Sequence, residues 1–354
     1  MVRRDRWQKL LLVLLVTGGL LSCSPPTAPS ATVTPNETIS EQRELLGTYV
    51  QIQVAGLPET SAREAIAAGF QAIEQLQADA HPELPSSDIF RLNQNAGQAP
   101  VKIHEDIFDI ISLAREISEH SQGAFDVTFV GIGRLYNLRH PENFRIPNDE
   151  ELRQALQRVD YRQLQLDPAN HTAYLTRTDM AVDLGGIAKG WSTDSAMAAL
   201  KARGVKNAIV NAGGDMMVSG SKNGEPWRIG IQHPRRGRDD YFAVIKASGD
   251  LAIVTSGDYE RYVMHDGVRY HHIMDPHTGR PASLSQSVTI IAPNGVLADG
   301  LATAVFVLGP EAGLAMLAQY YPQCDALIID RDGKRHDSPN LTKRHTVINV
   351  AEKH

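Results

Sequence analysis

The sequence predicts an α+β protein. Amphipathic helices with capping residues occupy the first half, and short strands dominate from Asn207 to Ala292. The two kinds of element are segregated rather than strictly alternating, which separates α+β from α/β chains. No repeat of twenty to fifty residues is visible. The chain has 354 residues, of which 42% are hydrophobic and 21% charged, ordinary globular material for one large or two modest domains.

The first element is a leader over residues 1–23. Arg3, Arg4, Arg6 and Lys9 precede the apolar run Leu10–Val16, which is short for a membrane-spanning helix and suits an export signal. Leu20-Leu21-Ser22-Cys23 resembles a bacterial lipobox, although Leu21 is less usual there than a small residue. That resemblance implies cleavage before Cys23 and lipidation of its sulfur, with acyl chains that anchor the protein to a membrane. An uncleaved anchor or an ordinary signal peptide is the alternative. Removing the leader takes away four basic residues and one acidic one, and leaves 31 against 40, a net charge of −9. A nucleic-acid partner is therefore not expected. The only other cysteine is Cys324, so no internal disulfide framework is available.

Residues 24–41 read as a flexible tether rich in Pro, Ser and Thr. A folded domain is expected over 42–335, and a poorly patterned tail over 336–354. Within the domain, Gly47–Val54 alternates as a strand. Ser61 and Glu64 form a capping-box signature ahead of Ile66, Phe70, Ile73 and Leu76. His81–Ser87 is a proline-rich loop. Ile107, Ile111, Ala114 and Ile117 mark a second helix, stopped by Gly123, and Ala124–Phe129 reads as the start of a strand. Asn148 and Glu151 open a third helix, through Val159. After the strands come two helices, Val296–Leu308 and Glu311–Tyr320, and a strand at Ala326–Ile329.

The organising stretch is Asp183-Leu184-Gly185-Gly186-Ile187-Ala188-Lys189-Gly190. Met180–Val182 leads in as a strand, and a helix leaves toward a stop at Gly204. A glycine turn before a helix N-terminus offers free N–H groups and a favourable dipole for an anion, and Lys189 adds a charge suited to phosphate. The spacing is neither a Walker A loop nor a dinucleotide fingerprint. A tight turn packing a helix on a sheet accounts for the same residues without a ligand.

Four further clusters stand out: Asn211–Asp215, Thr255–Tyr262, His271–Pro281 and Ala298–Ala304. Asp299 and Thr303 are four apart and share one face of an otherwise apolar helix. Hard oxygens at that spacing suit Mg2+, while a cap or a satisfied buried Asp would also explain them. His271, His272 and His277 raise zinc, but no thiolates accompany them and the spacing is unlike a structural zinc site.

Taken in order, Gly47-Thr48, Ser87–Asn93, Gly123–Thr128, Asp183–Gly190, Asn211–Asp215, Ser256–Tyr262, His272–Pro281 and Ala298–Leu308 resemble the ApbE-like FAD:protein FMN transferases. The resemblance runs from Gly47 to about Leu308. It implies an ApbE-like fold of mixed or antiparallel sheets packed with helices, in a single compact unit of one or two lobes. It implies transfer of FMN from the substrate FAD to a Thr or Ser hydroxyl of an acceptor flavoprotein, with release of AMP. By position, the Mg2+ ligands would be Asp299, Thr303 and the Gly186 carbonyl. FAD contacts would fall at Leu46, Ala124, Phe125, Asp126, Asp183, Lys189 and Ile273, and His272 would be the general base.

Acceptors implied by the resemblance are subunits of Na+-translocating NADH:quinone reductase, Rnf-like complexes or other exported flavoproteins. The leader implies a lipid-anchored, extracytoplasmic enzyme. The competing readings are an FAD pyrophosphatase and a non-catalytic flavin-binding lipoprotein. One departure bears on the choice: Glu83 falls at or near a position where family members often carry a tyrosine.

Overall fold

In the computed structural model, residues 38–350 are described, apart from 139 and 238. The leader, Cys23 and most of the tether lie outside the described residues. Folded structure begins earlier than expected, since 38–41 are already paired in a strand rather than part of a tether.

The chain opens on a hairpin. β1 (Thr38–Leu45) turns at Leu46 and Gly47 into β2 (Thr48–Ala55). Both turn residues have positive φ, 55° and 67°, the conformation that matches the twist of a two-residue hairpin. Next come α1 (Glu59–Asp79), α2 (Asp88–Gln94), the short β3 (Val101–Lys102) and α3 (Glu105–His120). α4 (Ile132–Leu135) and α5 (Asp149–Leu156) precede the hairpin β4 (Leu164–Asp167) and β5 (Thr172–Leu175). α6 (Ala188–Lys201) follows the glycine turn.

A run of strands follows: β6 (Asn207–Ala212), β7 (Asp215–Ser219), β8 (Trp227–Gln232), β9 (Tyr241–Ala247) and β10 (Leu251–Gly257). Then come β11 (Tyr262–His265), β12 (Val268–His271), β13 (Met274–Asp275), β14 (Arg280–Pro281) and β15 (Ser285–Ala292). The last elements are α7 (Gly295–Tyr320), β16 (Asp325–Asp330), β17 (Arg335–Asp337), α8 (Leu341–Arg344) and β18 (Thr346–Asn349).

Eight strands form the main sheet in the order β1-β2-β6-β7-β10-β15-β16-β17. Each neighbouring pair in it is antiparallel. Side chains alternate across it. Val210, Val254, Ile290 and Ile328 face one way, into a core shared with α1, α3, α6 and α7. Ile209, Ile253, Ile291 and Leu327 face the other way, against Trp227, Ile229 and Ile245 of the small sheet β18-β9-β8. The result is a helix layer, a large sheet and a small sheet, the α+β arrangement that the segregation of elements predicts.

Several local expectations change. The capping box at Ser61 and Glu64 does not form: α1 starts at Glu59 behind Pro58, which has no side-chain cap. Proline pre-sets the entry angle, so Ser61 falls inside the helix. The box at Asn148 and Glu151 does form, and α5 ends at Leu156 rather than Val159. Ala124–Phe129 is a turn, not a strand, because Asp126 draws the backbone N–H of Thr128 onto its carboxylate.

Met180–Val182 lies outside every strand because its partner is a side chain. Asn93 donates to the Val182 carbonyl at 3.0 Å and accepts from its N–H at 2.7 Å. The two expected helices at 296–320 are halves of α7, joined at Gly309 (φ 76°) before Pro310. The expected C-terminal tail is structured: β17 completes the edge of the main sheet, and β18 pairs with β9.

Candidate active site

Lys189, Asp215 and Asp299 come from three distant segments and meet at the start of α6. Lys189 sits in the first turn of α6. Asp215 opens β7, behind the tight turn of Gly213 (φ 63°) and Gly214 (φ 103°). Asp299 lies in the second turn of α7. The Lys189 ammonium pairs with Asp215, and its Nζ lies 3.6 Å from Asp299 Oδ1. The Gly190 N–H donates to Asp299 Oδ2 at 2.9 Å.

Asp215 and Asp299 are almost fully buried, at 1% and 2% exposure. Burial opposes the lysine charge, but Asp215 and then Asp299 more than offset it and hold the ammonium above its ordinary range. Burial, and after it the Asp299 carboxylate, push Asp215 up to about 7 against the pull of the ammonium. Asp299 is pushed up by burial as well. Two buried carboxylates against one ammonium leave room for further positive charge.

Only glycine fits at position 190. A Cβ there would overlap the Gly295 carbonyl oxygen and lie 2.7 Å from Asp299 Cβ. At Gly186 a Cβ would come within 3.2 Å of the Phe125 ring, so the glycine turn and Phe125 are in contact. Ile187, next in the chain, packs beside Gly300 of α7. The turn that carries Gly186 is thereby laid along the α7 residues that carry Asp299. Thr303, one turn further along α7, is half-buried.

The other residues singled out by the resemblance fall into three groups. Ala124, Phe125 and Ile273 are buried and apolar. Asp126 and Asp183 shape turns. Asp126 accepts from Thr128 N–H and Oγ1, both at 2.7 Å, and from Tyr161 N–H at 3.0 Å, while burial raises its carboxyl. Asp183 Oδ1 accepts from Gly185 N–H at 2.7 Å. Leu46 sits in the β1–β2 turn, whose Thr48 packs on Gly213 beside Asp215.

His272 follows β12, and its neighbour His271 meets Phe306 of α7 edge-on at 5.6 Å. Burial, then Arg261 and His271, push the His272 imidazole down to about 3. The imidazole is therefore held in its neutral form. Its Nδ1 faces the Arg261 carbonyl at 3.3 Å, so the proton sits on Nδ1 and Nε2 keeps a free lone pair.

The three histidines do not converge. His271 bonds the Ala282 carbonyl, and His277 bonds Asp275 and the Gln122 carbonyl. Among the described residues, no group of three His, Cys, Asp or Glu side chains could hold a metal. A Mg2+ set of one carboxylate, one hydroxyl and one carbonyl is of another kind.

Sequence reasoning did not assign Asp215 or Arg261, although both lie in the segments that carry the resemblance. Arg261 acts electrostatically on both Lys189 and His272. The signal available was their place in polar turns. Their convergence on Lys189 was not readable from spacing.

This fold and cluster define a class: α+β domains with a buried acid–lysine site where two helices cross above an antiparallel sheet. The chain belongs to the ApbE family, whose model matches residues 46–328. An FAD:protein FMN transferase of Treponema pallidum is 34% identical over 322 residues, covering 86% of this chain and 88% of its own. One of Vibrio cholerae is 36% identical over 240 residues, covering 65% and 69%. Among solved structures, the ApbE protein of Thermotoga maritima superposes with a TM-score of 0.76 at 33% identity, covering 87% of this chain and 99% of that one. The flavin transferase ApbE of Vibrio cholerae gives 0.75 at 30% identity, with the same coverage.

Proposed function

We propose that this protein is an FAD:protein FMN transferase that links FMN to a Thr or Ser hydroxyl of an acceptor flavoprotein and releases AMP. The observation that carries the reading is the Lys189–Asp215–Asp299 cluster at the N-terminus of α6, in a chain of the ApbE family. The site suits a pyrophosphate. Lys189 binds its oxygens and apolar Phe125 and Ile273 enclose ring surface, whereas the first-turn amides of Ala188 and Gly190 are already taken by the Leu184 carbonyl and Asp299.

The donor chemistry also fits a hard cation. Asp299 Oδ1, Thr303 Oγ1 and the Gly186 carbonyl would hold Mg2+, the buried carboxylate supplying the charge. When bound, Mg2+ neutralises charge that develops on the transferring phosphate. His272 Nε2 accepts the proton of the acceptor hydroxyl. That oxygen then forms a bond to the FMN phosphorus, and the bond from this phosphorus to the AMP oxygen breaks. Lys189 and the helix N-terminus stabilise the departing AMP phosphate.

The leader and Cys23 support a lipid-anchored protein on the extracytoplasmic side of a bacterial membrane. The acceptors that suit this place are exported or membrane-associated flavoproteins, with subunits of Na+-translocating NADH:quinone reductase and Rnf-like complexes foremost. The test is incubation with FAD and Mg2+, with and without an acceptor domain. Flavin-labelled acceptor plus AMP is the expected result. Free FMN plus AMP would make the protein a pyrophosphatase, and unchanged FAD would make it a binding lipoprotein.

A further inference from the structure

We propose that Asp194 is a positioning residue for the transfer reaction: it holds the first turn of α7 on α6 and so fixes Asp299 and Thr303 against the lysine-bearing turn. The inference rests on the proposed function for what Asp299 does. Its geometric part stands on the fold alone.

Asp194 belongs to α6, yet both of its oxygens serve α7. Oδ1 accepts from Gly295 N–H at 2.7 Å, and Oδ2 accepts from Val296 N–H at 2.8 Å. The next amide, that of Leu297, is capped locally by Asn294 at 3.0 Å. The opening amides of a helix have no partner within it. Here two of them are given to a carboxylate about a hundred residues away, which fixes a relative position as well as capping the helix.

The exchange is reciprocal. Asp299 of α7 reaches back and accepts from Gly190 N–H of α6. On α6, Gly190 and Asp194 are four apart, and on α7 so are Gly295 and Asp299. Each helix thus presents one glycine and one carboxylate along a single face. Between the two carboxylate links, Gly190 and Gly295 approach so closely that neither has space for a Cβ. Asp299 lies one turn, about 6 Å, from the amides that Asp194 holds. A slip or rotation at the seam would therefore displace Asp299 from Lys189 before it reached the core.

Apart from its two bonds, Asp194 faces a groove of about 400 Å3 lined by Asp106 and Asp109 of α3, Lys201, Trp191 and Met217. None of these replaces it at the α7 amides.

The test compares Asp194→Asn with Asn294→Ala in the full chain. The first sets an amide N–H against the Val296 donor. The second removes a cap of the same helix without touching α6. The expected result for Asp194→Asn is roughly tenfold weaker Mg2+ binding by calorimetry, of the size seen when the support of a metal ligand is lost. It should also raise the KM for Mg2+ while kcat at saturating Mg2+ stays near wild type. Asn294→Ala should lower thermal stability with less than half of that effect on Mg2+ affinity. Equal effects of the two variants, or unchanged Mg2+ affinity in Asp194→Asn, would make Asp194 an ordinary helix cap and overturn the proposal.

Hydrogen exchange on the wild type decides the matter even if the variant does not fold. Adding Mg2+ and FAD should slow exchange at Gly295 and Val296, because coupling between the seam and the site is reciprocal. Bound Mg2+ with no added protection there would sink the inference and leave the proposed function standing. Wild type that protects these amides but labels no acceptor would do the reverse.

Discussion

Replacing Lys189 by methionine should leave Asp215 and Asp299 buried beside each other without the ammonium that pairs with them. The lost interaction can be sized from the geometry. Nζ lies 3.6 Å from Asp299 Oδ1, and at an effective dielectric constant of about 20 that contact alone amounts to about 5 kcal/mol. Truncating one partner of a buried charge pair costs about 3–5 kcal/mol, so the two routes agree. For a domain of this size, that lowers Tm by roughly 6–10 °C.

The loss should depend on pH, with a definite sign. Asp215 already stands at about 7, raised above its unfolded value, and without the ammonium it rises further. A raised carboxyl stabilises the fold fully below its unfolded pKa and loses that contribution as pH rises through the folded value. The deficit of Lys189→Met should therefore be largest at pH 8 and narrow toward pH 5. The assay is thermal unfolding followed by circular dichroism at both pH values, without added Mg2+. A Tm within 2 °C of wild type at pH 8, or a deficit that grows on acidification, would refute the assignment of Lys189 as counter-ion to two buried carboxylates.

Four further outcomes are expected. Asp299→Ala should cut transfer by roughly a hundredfold or more in saturating FAD and Mg2+, and turnover near wild type would remove Asp299 from the ligand set. Because burial and its neighbours hold His272 at about 3, where imidazole is a weak base, His272→Asn should lower transfer by only about 10², the low end for a general base, and equally from pH 5 to pH 8; loss of an inflection near pH 6.5 would contradict this. Glu83 is largely exposed and lies 3.8 Å from the Arg134 guanidinium, so Glu83→Tyr should leave the ratio of protein-linked to free FMN unchanged, whereas a leaky wild type tightened by tyrosine would show that this loop governs water access. Cys23→Ser should release a soluble, active enzyme, checked by fractionation and the intact mass of the wild-type N-terminus.

Local chemistry made much of the fold readable. Helix faces such as Ile66–Leu76 and Ile107–Ile117 are periodic because one stripe must be buried, and all their marked positions are buried. The cap at Asn148 and Glu151 is a short-range exchange that needs nothing beyond the next three residues. The order of the glycine and polar turns carried the family, since those turns meet backbone demands that few residues satisfy.

Where the signal was equally local but competed with its surroundings, the sequence misled. Pro58 displaced the cap expected at Ser61, and Asp126 turned an apparent strand start into a loop. The site itself was only half readable. Asp299, Thr303 and Lys189 stand out as costly polar choices in apolar or glycine-rich settings. Nothing in their spacing says that Asp215 shares the lysine, that Gly190 lies against Gly295, or that Asp194 holds the first turn of α7. Periodicity specifies which face of an element is buried and is silent on which other face it meets. The partners in this site stand from 26 to over a hundred residues apart, and only the crossing of α6 and α7 above the sheet brings them together.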